Sequence, residues 1–200
     1  MFVQVIQAKV KDEAGLRSAL DTWRDRLLPG AAGYLGTTGG ITEDGIFIAL
    51  ARFADADSAK ANSERPEQGE WWTEVEKNLE GAVDFLDCDD VTAWLDGGSD
   101  DAGFVQIMRG RSEDVARMHS LFNKHTAELR EARPEIIGGL MLDAGDGRYV
   151  DAIYFASEEA ARKGEALEPP EQVRADMEEG MQLMGEVSYF DLRDPILVSP

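Results

Sequence analysis

The hexapeptide Phe2-Val3-Gln4-Val5-Ile6-Gln7 returns as Phe104-Val105-Gln106-Ile107-Met108-Arg109, a displacement of 102 residues. The same displacement superposes Asp12 on Asp114, Ser18 on Ser120, Leu27 on Leu129, Gly36 on Gly138, Asp44-Gly45 on Asp146-Gly147 and Phe53-Ala54 on Phe155-Ala156. A two-residue insertion near Pro169-Pro170 changes it to 104, which pairs Glu67-Gln68 with Glu171-Gln172, Leu79 with Leu183, Gly81 with Gly185 and Asp87 with Asp191. A tandem duplication constrains the fold more than any other feature, because the same supersecondary unit has to be built twice. Each copy of this 200-residue chain is small. A unit of about 100 residues buries only about 60–65% of its unfolded surface, so the two copies are expected to share a core.

Within one copy, residues 2–10 are β-branched and aromatic and read as a strand. Leu16, Leu20, Trp23 and Leu27 then recur at helical spacing between charges, an amphipathic helix over 12–28 that Pro29-Gly30 and Gly33 end. Residues 34–41 and 46–53 form a hairpin around Asp44-Gly45, a dipeptide that supplies the positive φ of a tight turn. Helix 55–79, interrupted at Pro66, precedes a fourth strand over 82–89. The second copy repeats the plan: strand 104–110, a helix with Val115, Met118, Phe122 and Leu129 on its apolar face, hairpin strands 136–143 and 148–156, a broken helix 158–183 and strand 186–192. Each copy therefore reads β-α-β-β-α-β, the ferredoxin-like order. The expected division is a first repeat over 1–95, a polar, glycine-rich linker over 96–103 and a second repeat over 104–200. Strand 2–7 is apolar on both faces, as a sheet covered on both sides requires.

The formal charge is −20, with 9 basic and 20 acidic residues in the first hundred against 11 and 20 in the second. An acidic surface this even repels nucleic-acid phosphates and anionic lipid, so neither is an expected partner. The single cysteine, Cys88, excludes an intramolecular disulfide and suits a reducing cytoplasm. No run approaches the ~18 apolar residues of a membrane span. The chain is expected to be cytoplasmic.

The stretches Phe2-Val3-Gln4-Val5-Ile6-Gln7, Asn62-Ser63-Glu64-Arg65-Pro66-Glu67-Gln68-Gly69-Glu70-Trp71-Trp72 and Gly97-Gly98-Ser99-Asp100-Asp101-Ala102-Gly103-Phe104-Val105-Gln106 carry a resemblance to the dimeric α+β barrel superfamily, and within it to a group of actinobacterial tandem proteins. That superfamily includes antibiotic-biosynthesis-type monooxygenases and small haem-degrading enzymes. The resemblance implies an α+β fold in which two tandem ferredoxin-like units form a pseudo-dimeric α+β barrel within one chain. Such an internal pseudo-dimer needs no second chain and leaves the protein free to stay monomeric.

No phosphate loop, dinucleotide fingerprint, His-Glu-x-x-His or Cys-x-x-Cys occurs. The two histidines, His119 and His125, are six apart, about 240° around a helix, so they do not form a local metal pair. His119 falls opposite Arg17 and reads as an exposed helix residue. His125 takes the Trp23 position on the apolar face; it is either a core residue with one hydrogen-bond partner or a cavity residue suited to a general base or a haem ligand. Asn62 with Trp71 and Trp72 resembles the amide and tryptophan that related cofactor-free oxygenases place between helix and sheet. There the amide polarises a substrate enolate or phenolate and the indole shapes an apolar chamber. The second copy has Gly164, Ala175 and Asp176 at these places, confining such a site to the first half. Their structural alternative is helix anchoring. Arg52, its counterpart Tyr154, and Asp151 are polar residues inside hairpin strands; burial of Asp151 would be costly unless it is paired, and a solvent-facing position is the simpler expectation. Gln4 and Gln106 recur in both copies as polar residues of the shared barrel interior or as side chains holding strands in register.

Two functions fit these residues. One is a cofactor-independent monooxygenase-like enzyme for a small apolar or aromatic metabolite, with His125 and Asn62 catalytic and Trp71, Trp72, Trp23, Tyr154 and Arg52 binding the substrate. It needs no cofactor; haem is the one alternative. The other is a non-catalytic small-molecule binding or scaffold protein, since one fold hosts both.

Overall fold

The computed structural model describes residues 1–200. It divides into two compact units, Met1–Asp89 with Ile196–Pro200, and Asp90–Pro195. In unit 1 the repeat plan appears as β1 (Phe2–Val10), α1 (Glu13–Thr22), β2 (Tyr34–Ile41), β3 (Ile46–Phe53), α2 (Ala56–Ser63), α3 (Pro66–Glu76) and β4 (Leu79–Cys88). The helix expected over 12–28 is continuous only to Thr22; Trp23–Leu27 is a π-helical turn and Leu28–Gly30 a 3₁₀ turn that Pro29 and Gly30 close. Such π turns interrupt helices where a side chain must be aimed differently, and this one begins at Trp23.

Unit 2 opens with β5 (Asp90–Trp94), residues that were expected to belong to the first repeat. It continues as β6 (Phe104–Arg111), α4 (Val115–Lys124), α5 (Thr126–Ala132), β7 (Ile136–Asp143), β8 (Arg148–Phe155), α6 (Glu158–Glu165), α7 (Glu171–Leu183) and β9 (Val187–Leu192). The last strand, β10 (Ile196–Val198), lies beyond the final strand expected over 186–192. Both sheets are antiparallel. Unit 1 has the order β10-β2-β3-β1-β4 and unit 2 the order β5-β7-β8-β6-β9. Strand β5 follows unit 1 in the chain but pairs with β7, whereas β10 follows unit 2 but pairs with β2. The two are copies of each other, since the 104-residue displacement carries Thr92 onto Ile196 and Trp94 onto Val198. The expected boundaries at 95 and 104 are therefore corrected to a reciprocal exchange of edge strands. Runs of five and three residues are too short to show a period, and only backbone pairing defines them.

The repeated residues have visible local work. Asp12 caps α1 by accepting from the Gly15 amide at 3.1 Å, and Asp114 caps α4 from Arg117 at 2.8 Å. Gly36 and Gly138 both sit where the β2–β3 and β7–β8 registers slip. A Cβ on Gly138 would collide with the carbonyl oxygen of Gly97, and one on Gly36 with the Arg52 guanidinium and the Val198 carbonyl oxygen. Gly138→Ala is expected to destabilise unit 2 by about 1–3 kcal/mol in chemical denaturation, because the obstructing atom is backbone. An unchanged midpoint would show that the bulge relaxes freely.

In each unit the helices cover one sheet face. In unit 1, Leu16, Ala19 and Val75 pack on Ala8, Phe47, Ala49 and Leu79. In unit 2, Val115 and Met118 pack on Tyr149, and Ala161 on Phe104 and Phe155. The opposite faces, carrying Val3, Val5, Ile48 and Leu50 or Val105, Ile107, Val150 and Tyr154, are buried as well. Coverage of both faces accounts for the two-sided hydrophobicity of β1 and β6. No helix is long and apolar enough to cross a membrane.

Candidate functional site

Between the helices and the sheet of unit 1 lies a cavity of about 680 Å³. That volume is in the range of small-molecule sites. Its floor is the alternating face of the strands: Phe2, Gln4 and Ile6 of β1, Phe47, Ala49, Ala51 and Phe53 of β3, and Phe85 and Asp87 of β4. Alanines at the centre of β3 leave room that larger residues would fill. Ile196 and Val198 of β10 complete the wall.

The roof is aromatic. Trp23, Trp71 and Trp72 all line the cavity. Ring centroids run Tyr34–Trp23 at 4.9 Å, Trp23–Trp71 at 6.3 Å, Trp71–Trp72 at 5.9 Å and Trp72–Phe85 at 5.4 Å. Trp23 donates its indole N–H to Gln68 Oε1 at 2.9 Å, and Trp71 donates to the Ala19 carbonyl at 2.7 Å. With those polar edges spent on the protein, the rings offer the cavity apolar surface for a flat molecule.

Asn62 sits on α2, is 7% exposed, and lines the same cavity. Its Oδ1 accepts from Arg65 Nη1 at 2.9 Å. Arg65 is itself held by the Leu27 carbonyl, at 3.1 and 3.2 Å, and by Glu67 at 2.9 Å. A guanidinium only donates, so it dictates that the oxygen end of the amide faces it. The Asn62 Nδ2 group is then an oriented donor with no protein acceptor. The sheet floor holds a second polar pair, Gln4 Nε2 donating to Asp87 Oδ1 at 3.0 Å. Its copy, Gln106 to Asp191 at 2.9 Å, lines the helix-side cavity of unit 2. These glutamines tie neighbouring strands in register and face the helix side rather than the opposite sheet face.

Four expected residues thus converge: Asn62, Trp71, Trp72 and Trp23. Arg52, Tyr154 and His125 do not join them. Arg52 alternates with Ala51 and Phe53 and points to the other sheet face, where it is 7% exposed. Tyr154, fully buried, lies on the corresponding face of unit 2. His125 stands between α4 and α5 with Nε2 2.6 Å from Asp176 Oδ2, outside the lining of either cavity. Lys124 first, and then His125, hold the Asp176 carboxyl below its ordinary range. His125 and Asp176 occupy the repeat positions of Trp23 and Trp72, so a histidine–carboxylate contact replaces two cavity aromatics. The chain places no three His, Cys, Asp or Glu side chains in an arrangement that could hold a metal ion.

Unit 2 holds a constellation that the sequence reading placed on the surface. Asp151 is 6% exposed, on the central strand β8, and lines a cavity of about 590 Å³. His119 Nε2 lies 2.9 Å from its Oδ1, off the line of an aligned hydrogen bond. Burial pushes the Asp151 carboxyl above its ordinary range, and His119 partly offsets that rise. The expectation of two solvent-facing residues is corrected by the topology. His119 lies four residues after Val115 and three before Phe122, which places it on the helix stripe that packs on the sheet. That spacing was the available signal.

No protein-family model matches the chain, and no curated protein matches it. Three solved structures align over nearly its whole length. A candidate monooxygenase from Fusobacterium nucleatum gives a TM-score of 0.78 at 10% identity, covering 99% of this chain and 94% of that one. A candidate monooxygenase from Lactobacillus acidophilus gives 0.74 at 10% identity, covering 99% of both chains. An anthrone oxidase-like protein gives 0.68 at 9% identity, covering 98% and 91%. At these identities the likeness establishes the fold alone. The chain shares the tandem ferredoxin-like α+β fold of these three structures.

Proposed function

We propose that the unit 1 cavity binds a flat aromatic or apolar metabolite and oxygenates it without a cofactor, with Asn62 donating from Nδ2 to a ketone, enol or phenol oxygen of the substrate. The observation that carries this reading is the Asn62 amide, its oxygen held by Arg65 and its N–H₂ end left to an aromatic chamber. In this chemistry the substrate is the reductant. Loss of a proton gives an enolate or phenolate, dioxygen accepts its electrons, and a CH₂ carbon becomes C=O while the second oxygen atom leaves as water. A donor oriented before the charge forms stabilises that anion without reorganising. Trp23, Trp71 and Trp72 hold the ring system and exclude water. The names of the full-length structural neighbours, monooxygenase and anthrone oxidase-like, agree with this reading.

Oxygen uptake with anthrone as the probe tests it. The wild-type chain is expected to accelerate uptake over the buffer rate, and Asn62→Ala to lower kcat about 100-fold while KM moves little, as loss of one oxyanion donor does. Anthrone binding with no acceleration would instead make the protein a ligand carrier.

A further inference from the structure

In the unit 2 cavity a buried carboxylate keeps one oxygen uncommitted. Both protein contacts of Asp151 fall on Oδ1: His119 Nε2 at 2.9 Å and the Leu142 amide at 3.4 Å. Oδ2 is left without a partner on a side chain that is 9% exposed and lines the cavity. The other charged lining groups are spent on one another. Arg162 is bound by Glu158 at 3.4 Å, by Glu165 at 3.0 Å and by Asp191, which also accepts from Gln106. Lining carboxylates therefore outnumber the single cation, in a chain whose formal charge is already −20. Long-range potential of that sign concentrates cations.

The walls suit an apolar body behind a cationic head. Met108, Met141, Met181 and Met184 line the cavity with Trp94 and Phe122. Unbranched thioethers adapt to different shapes, and aromatic faces attract cations. Asp151 is not inherited from the repeat, because Ala49 occupies its position in unit 1. We infer that unit 2 contains a second binding site, specific for an apolar amine whose ammonium group donates to Asp151 Oδ2. This site does not depend on the unit 1 reading, since Asn62 and Asp151 line different cavities.

Calorimetric titration of the full chain with 1-naphthylmethylamine, and with 1-naphthalenemethanol as its neutral analogue, tests the assignment. The amine is expected to bind more tightly than the alcohol. Asp151→Asn, which keeps the side-chain shape, is expected to weaken the amine about tenfold or more and the alcohol by less than about threefold, the loss of a charge-assisted hydrogen bond. Met181→Trp gives a second test that does not disturb the core, since Met181 is 63% exposed at the mouth of the cavity. It is expected to weaken both probes. No amine binding by the wild-type chain, or amine binding that either variant leaves unchanged, overturns the assignment.

Discussion

Replacing His119 by alanine is expected to destabilise unit 2 by about 1–3 kcal/mol at pH 8, the usual result of leaving a buried polar group without its partner. Asp151 is 6% exposed on a central strand, and its remaining protein contact is a long one, 3.4 Å from the Leu142 amide. Burial raises the folded-state pKa of this carboxyl, and His119 opposes that rise. A group raised in this way contributes stability that is fully present below its unfolded pKa, about 3.9, and is lost as the pH climbs through the higher folded value. Removing His119 raises the folded value further, so the deficit of the alanine variant is expected to be largest at alkaline pH and to shrink towards pH 5. Asp151→Asn in the same background supplies a neutral side chain of the same shape and is expected to restore most of the loss. Urea unfolding of the two single variants and the double variant at pH 5 and pH 8 gives the answer. An equal loss at both pH values would mean that His119 contributes packing and not charge.

The second large effect is expected from ending the chain at Pro195. That truncation lies in sequence beside unit 2 but removes β10 from the sheet of unit 1. Strand β2 loses its pairing along Thr37–Gly39, and Tyr34 loses the Val198 carbonyl at 3.3 Å. Ile196 and Val198 also leave the cavity wall. Both side chains are half-buried, so their apolar area with the lost pairing amounts to roughly 2–4 kcal/mol. For a chain of this size that lowers the melting temperature by about 5–15 °C. Trp23, Trp71 and Trp72 report on unit 1 by fluorescence. Removing only Ser199 and Pro200, both exposed, is expected to change nothing measurable. If the two truncations behave alike, β10 contributes little to the unit it pairs with. If the longer one abolishes anthrone binding as well, the exchanged strand is part of the site and not only of the scaffold.

Asn62 and the three tryptophans were legible because the aromatic residues break the repeat: Trp71 and Trp72 stand opposite Ala175 and Asp176, and Trp23 opposite His125. A departure from an otherwise faithful duplication marks a change of environment, and here it separates an aromatic chamber from a histidine–carboxylate contact. The Arg65 contact that orients the Asn62 amide was not legible. Arg65 is three residues along the chain, but its orientation depends on the Leu27 carbonyl, 38 residues away. His119 and Asp151 were each noticed and each placed on the surface, because neither alone reveals that a helix stripe lays one over the other.

From the chain alone follow the duplication, the order of elements in each half, the hairpin turns and the helix stripes. These are local: period, turn chemistry and capping act over fewer than about ten residues, and the repeat tests each reading twice. The tertiary structure alone decides which sheet receives β5 and β10 and which polar atoms stay uncommitted. A strand of three to five residues has no period of its own, so its partner is chosen by the free edge it reaches. A polar atom becomes a binding site only when every neighbour that might satisfy it has been placed elsewhere. In this protein that leaves a donor, Asn62 Nδ2, in one cavity and an acceptor, Asp151 Oδ2, in the other.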